Sequence, residues 1–253
     1  STVLGRWAAQ KSCFAVTDLH YIGARFDRLI DTQALNAFNL LPRGAQGFQS
    51  QDSLVICSRG AVTDSHADDH SGSNHCFVGR KLWLLWDTLE GLAQGLQDAS
   101  HVVVTDRAAF DVSAFLRLRS ARWLVIGPGQ TMFIPAHLSH KVITLERYLG
   151  LGSFHAGLPG LPDLLLRWQA LQPYWSRGAA LDARCTVDHL VQRALRRLRH
   201  LREADQAERA RWGTPELLDR LERGVDPRGA ARTYAHVVSP HLPALRRAAL
   251  ALT

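Results

Sequence analysis

Long hydrophobic runs are missing from this chain of 253 residues: no stretch of eighteen consecutive apolar residues occurs, so no membrane-spanning helix is expected and a membrane is not among the expected partners. Cysteine is scarce. The four present, Cys13, Cys57, Cys76 and Cys185, are scattered without C-x-x-C spacing, which argues against structural zinc and a disulfide framework and fits an intracellular, cytoplasmic setting. The segment Ser1 to Trp7 lacks the charged-then-apolar order of a signal peptide. No internal repeat and no low-complexity tract is present. Lysine is the rarest charged residue, with only Lys11, Lys81 and Lys141 among 30 basic residues. A chain that otherwise uses arginine for positive charge and keeps a lysine has a place for a compact, single-point ammonium.

What remains is a chain of ordinary globular composition, 46% hydrophobic and 21% charged, long enough to bury one substantial core or a core with an added helical layer. Short strands separated by Gly and Pro read at 53–58, 77–86, 101–105, 123–126, 131–134, 141–145 and 148–154. Helical patterns lie at 31–38 and 108–117, and from about residue 162 they take over, at 164–171, 187–210, 215–223 and about 230–252. The expected organisation is a flanking segment at 1–52, a mainly β core with helices at 53–160, and a C-terminal helical region at 161–253.

Charge follows that division. Residues 161–253 hold 16 Arg against 10 Asp and Glu, whereas residues 1–160 hold 14 Lys and Arg against 13 acids. Arg193, Arg196, Arg197, Arg199 and Arg202 read as one basic side of a helix whose other side carries Leu190, Ala194, Leu198 and Leu201. No aromatic residues interleave with these arginines, so a solvated face is the plain reading and nucleic acid is not the expected partner. The apolar stripe needs a cover, either the core or the same helix in a second copy, and a homodimer through the C-terminal helices is expected.

Chemistry concentrates in the middle third. His66-Ala67-Asp68 is followed by Lys81 in Gly79-Arg80-Lys81 and by His140 in Ile134-Pro135-Ala136-His137-Leu138-Ser139-His140, with Thr63 three residues before His66. On a pleated strand His66 and Asp68 project to the same side, and two imidazoles with one carboxylate can hold three positions on one face of Fe(II), leaving the others open. By the same alternation Lys81, Trp83 and Leu85 share a face. A buried lysine among apolar neighbours needs an anion beside it. His137 and His140 have opposite parity, so only one can face a metal, and the position five after Pro135 favours His140. The stretch Asp69 to His75 reads as a loop, with His70 and His75 facing substrate or solvent. His155 lines the pocket or faces solvent.

Taken in order, the frame T-x-x-H-x-D, G-x-K and P-G-x-x-x-x-I-P-x-x-x-x-H resembles the JmjC branch of the Fe(II)/2-oxoglutarate oxygenases, over roughly Leu54 to His155. The resemblance implies a double-stranded β-helix of jelly-roll, cupin-like form. It implies iron ligands at His66, Asp68 and His140, the catalytic set, and places Lys81 and Thr63 on the groups that hold the 2-oxoglutarate C5 carboxylate. Ser153, expected with Lys81 and Thr63 among the cofactor-binding residues, falls where many relatives carry an asparagine, and Ala136 to Ser139 where many carry aromatic residues. The implied cofactors are Fe(II), 2-oxoglutarate as cosubstrate and O2. The implied reaction is hydroxylation, or desaturation or cyclisation, of an aliphatic C–H bond of a small molecule, with release of succinate and CO2. A protein hydroxylase or methyl-lysine demethylase acting on a peptide is the alternative, and a non-catalytic cupin-like binding protein is more distant.

Overall fold

The computed structural model describes residues 5, 8–9, 14–19, 37–41, 52–96, 110–174, 177–223 and 241–252. They fall into two compact units, one of 1–32 with 42–154, the other of 33–41 with 155–253. Among the described residues no helix is long and apolar enough to cross a membrane.

Among the described residues the first unit contains nine strands: β1 (Ala15–Leu19), β2 (Asp52–Cys57), β3 (Val62–His66), β4 (Ser71–Val78), β5 (Lys81–Asp87), β6 (Arg122–Ile126), β7 (Thr131–Ile134), β8 (Leu138–Thr144) and β9 (Tyr148–His155). They form two sheets, ordered β1-β2-β9-β4-β7 and β3-β8-β5-β6, and every pairing given by its register is antiparallel. From β3 to β5 and again from β6 to β9 the chain passes back and forth between the sheets. One apolar cluster draws on both: Val55, Cys76, Ile134 and Tyr148 from the first, Trp83, Leu85 and Val142 from the second. The alternation expected for β5 is present. Lys81, Trp83 and Leu85 are buried on the cavity side, while Leu84 and Trp86 join Phe115 and Leu118 in a separate cluster around α2 (Val112–Arg117), which follows α1 (Thr88–Ala93).

Turn chemistry sets the register. The apolar stretch 77–86 is two strands, not one, because Gly79 turns the chain between β4 and β5 at φ +87°, and a Cβ there would lie 1.9 Å from the Arg147 carbonyl oxygen. At 127–130, Pro128 and Gly129 (φ +79°) occupy the two corners of a turn closed by Gln130 N–H donating to the Gly127 carbonyl at 3.1 Å, the arrangement of a type II turn.

Other expectations shift. The polar stretch at 71–76 is the first part of β4, not a loop, and β1 lies in the segment expected only to flank the core. Gly72, Asn74 and Cys76 take the buried positions of β4 while Ser71, Ser73 and His75 alternate with them, so no apolar alternation signals the strand. The strand expected at 101–105, most of the helix at 31–38 and the first part of the last helix lie outside the described residues.

The second unit is helical: α3 (Leu161–Leu171), α4 (Arg177–His200), α5 (Gln206–Arg211), α6 (Thr214–Arg223) and α7 (Leu242–Leu250). The helix expected to run to residue 210 stops at His200. Asp205 caps the next helix by accepting from Glu208 N–H at 2.8 Å, and the Arg209 guanidinium donates to the carbonyls of Leu201, Arg202 and Leu252. Arginine at a helix C-terminus satisfies acceptors the helix itself leaves open. Leu190, Ala194, Leu198 and Leu201 are all at most 2% exposed, with α7 packed against α4, so this stripe is covered within one chain.

Gly79 and Gly60 give a paired test of the turns. Gly60 also has positive φ, +82°, but open space where a Cβ would go. Gly60→Ala should lower stability by about 1 kcal/mol from left-handed strain alone, and Gly79→Ala by at least about 3 kcal/mol because backbone overlap is added. Urea midpoints of the two variants check this, and equal losses would contradict the assigned turn.

Candidate metal centre

The pairing of β3 with β8 builds the site. Thr63 faces Val142 and His66 faces His140, so three residues on β3 span the same length as two on β8. A β-bulge absorbs the extra residue. Without it, the odd spacing of Thr63 and His66 would send them to opposite faces; with it, both line one cavity of about 290 Å³. Asp68 does not sit on the strand, as its spacing from His66 suggested. It lies past the end of β3, where its backbone carbonyl accepts from His137 N–H at 2.8 Å.

His66, Asp68 and His140 bring one ligand atom each to within 4.8 Å of one another. Each imidazole is oriented by its own strand: His66 Nδ1 is 2.7 Å from the Asp64 carbonyl and His140 Nδ1 is 3.0 Å from the Leu138 carbonyl. A carbonyl can only accept, so both Nδ1 atoms carry the proton and both Nε2 lone pairs are free to ligate. Those Nε2 atoms face Asp68, at 4.0 Å from Oδ1 for His66 and 3.8 Å from Oδ2 for His140. These separations are too long for hydrogen bonds, so the three groups converge without satisfying one another. Burial, with His66 adding to it, holds His140 neutral by lowering its pKa to about 3. Burial pushes Asp68 above the ordinary carboxylate range against the pull of His66 and His70. A dication among these groups would favour the anionic carboxylate.

His137 is excluded by its backbone. It sits before β8 at φ 57°, and its carbonyl accepts from the Thr88 hydroxyl at 2.7 Å. This left-handed residue reverses the chain so that β8 starts at Leu138, and its ring is buried with Nδ1 4.0 Å from Asp69 Oδ1. His75 projects from β4 to bond Thr131 Oγ1 at 2.8 Å and does not line the cavity. His70 is buried and edge-on to Phe154 at 6.3 Å, with burial lowering its pKa to about 4. His155 ends β9, half-buried, away from the cavity lining.

Lys81 and Ser153 line the cavity with Thr63 and the three converging residues. Lys81 is 3% exposed, and burial pushes its ammonium below the ordinary lysine range. Its neighbours are the Cys57 sulfur, Cys76 and the Tyr148 ring, whose centroid is 4.3 Å from Nζ. Among the described residues no carboxylate pairs with it. Arg80 is exposed and 3.7 Å from Glu146. Sequence reasoning missed Asn74, which accepts from the Tyr148 hydroxyl, and did not assign Trp83 to the site. Trp83 lies 5.6 Å from His140 by ring centroids, and its buried Nε1 has no hydrogen-bond partner among the described residues. The available signal for Trp83 was its shared parity with Lys81; Asn74 lay in the stretch read as a loop.

No family model matches the chain, and no curated protein does. Solved structures similar to it include a single-residue variant of oxalate decarboxylase from Bacillus subtilis, at 14% identity over 41% of this chain with a TM-score of 0.28, and KdgF from a Halomonas species, at 19% identity over 41% with a TM-score of 0.26. The match spans 20% of the oxalate decarboxylase and 66% of KdgF. The functional reading therefore rests on the geometry of the site.

Metal titration tests that geometry directly. His66→Ala, Asp68→Ala and His140→Ala should each abolish binding of Mn(II) or Co(II) measured by calorimetry, while His137→Ala leaves it within about twofold of the parent, since only the first three donors converge. Loss of binding in His137→Ala with retention in His140→Ala would reverse the ligand assignment.

Proposed function

We propose that the first unit is a cupin-like double-stranded β-helix and that the chain is an Fe(II)- and 2-oxoglutarate-dependent oxygenase acting on an aliphatic C–H bond of a small molecule. The observation that carries this reading is the meeting, on one cavity, of two imidazoles and a carboxylate with a buried lysine that pairs with no carboxylate among the described residues. The strand order in two antiparallel sheets around one shared core supports the fold assignment.

The residues present fit both groups. Two imidazoles and one carboxylate form the donor set of a facial triad that suits non-haem Fe(II). A buried ammonium with no counter-ion among the described residues fits a dicarboxylate, and Trp83 Nε1, which has no hydrogen-bond partner among them, offers one more donor to an acceptor-rich ligand. Fe(II) and 2-oxoglutarate bound together supply O2 activation coupled to oxidative decarboxylation, giving succinate and CO2 with oxidation of the substrate C–H bond.

The chain's own part is orientation and exclusion. The backbone carbonyls of Asp64 and Leu138 hold the Nδ1 protons, so His66 and His140 present Nε2. Lys81 and the Thr63 hydroxyl receive the far carboxylate of the keto acid, which restores a counter-charge to the buried ammonium. Ser153 lines the same cavity from β9 of the other sheet. Trp83, Ile134 and Val142 line the cavity with apolar surface that keeps bulk water from the reacting atoms.

Lys81→Met keeps the stem and removes the charge, so it separates packing from electrostatics. It should weaken 2-oxoglutarate binding by about 3 kcal/mol, on the order of 100-fold, while Mn(II) affinity stays near the parent's. Unchanged cosubstrate affinity in this variant would sink the assignment of Lys81. Succinate release from the Fe(II)-loaded protein, measured against free amino acids and against peptides, tests the reaction and its substrate class together. Turnover with peptides alone would move the reading to a protein hydroxylase or demethylase, and metal binding with no succinate from any substrate to a binding protein.

A further inference from the structure

The helical unit has a cavity of its own, about 470 Å³, that shares no residue with the one around His66. Arg193, Arg196, Arg197 and His200 of α4 line it, together with Trp212 and the Asn39–Leu40 segment. Positions i, i+3, i+4 and i+7 of a helix lie on one face, so these four side chains project together. None of them is paired with a carboxylate among the described residues. Other arginines of the unit have partners: Arg220 pairs with Asp163, and Arg209 serves three backbone carbonyls.

Two of the arginines are held in place. Arg193 Nη1 donates to the Leu40 carbonyl at 3.3 Å. The Arg197 guanidinium stacks 4.1 Å over the Trp212 ring, which is itself edge-on to Phe38 at 5.3 Å. The aromatic support absent from the sequence of α4 thus comes from the end of α5 and from 37–41. Asn39 fixes that short segment by accepting from the backbone N–H groups of Leu41 and Ala156. The five arginines that read as one basic side do not act together. Arg199 Nε turns back to the Leu195 carbonyl, and Arg202 lies past the helix end with its carbonyl taken by Arg209.

We propose that this cavity binds the phosphate group of a phosphorylated small molecule. Unneutralised guanidinium groups in a concavity concentrate positive potential, and their planar forks match the oxygens of a phosphate through paired N–H donors. A compact cavity with Arg199 and Arg202 turned away suits one dianionic group better than the extended backbone of a nucleic acid, which would need a continuous track of cations.

Calorimetric titration of the full chain, without added divalent metal, tests the proposal with inorganic phosphate, phenyl phosphate and a single-stranded DNA oligonucleotide as probes. One phosphate or phenyl phosphate should bind per chain. Arg196→Gln, whose side chain is exposed and whose circular dichroism should match the parent's, should weaken binding by about tenfold or more, whereas Arg199→Gln and His66→Ala leave it unchanged. Arg197→Lys keeps the charge but loses the fork, and it should also bind more weakly. Absence of saturable binding, or equal losses in Arg196→Gln and Arg199→Gln, would overturn the proposal in favour of diffuse charge attraction. Tighter binding of DNA than of phenyl phosphate, sensitive to Arg199 as well as Arg196, would overturn it in favour of a nucleic-acid face. Because His66→Ala disables the metal centre and leaves α4 intact, failure here is distinguishable from failure of the oxygenase reading.

Discussion

Antiparallel pairing of β3 with β8 is the constraint on which the candidate metal centre depends. It sets His66 opposite His140 and puts their rings 4.1 Å apart by centroid. Its bulge restores Thr63 to the cavity side, and the turn before β8 holds the Asp68 backbone through His137. Each local device serves the same register, and a slip of one residue would turn His140 to the other face of the sheet.

Much of this was legible in the residues. The alternation of β5 placed Lys81 with Trp83, and the Pro128-Gly129 pair marked a turn. His66, Asp68 and His140 were singled out by type and order, and they are the residues that converge. Asp68 reaches the cavity from the segment past the end of β3 and not from the strand, and His137 is set aside by a left-handed backbone and not by strand parity. Binary patterning cannot show either, because both depend on hydrogen bonds between segments far apart in sequence. The first half of β4 was illegible for a different reason. The inward residues Gly72 and Asn74 border the cavity and carry no apolar side chain, so the strand lacks the apolar alternation that would reveal it.

The helical unit carries the same lesson. Leu190, Ala194, Leu198 and Leu201 were readable as a buried stripe, and a buried leucine is worth roughly 2 kcal/mol before entropy. What covers the stripe was not readable. Nor was the break after His200, because Arg209 stabilises it by meeting carbonyls from two separate stretches of chain. Arginine in this protein is therefore not one kind of residue: some cap helix ends, some pair with acids, and a small group faces an open cavity.

The donors of the candidate metal centre come from the end of β3, the residues just past it and β8, so an ion held there would tie together two stretches of backbone separated by a long loop of chain. Such a tie restricts the unfolded ensemble in the manner of a cross-link, and a ligand that binds only the folded arrangement adds its binding free energy to stability. Resistance to unfolding then becomes a reporter of occupancy, one that responds to the ion alone and needs no knowledge of the substrate.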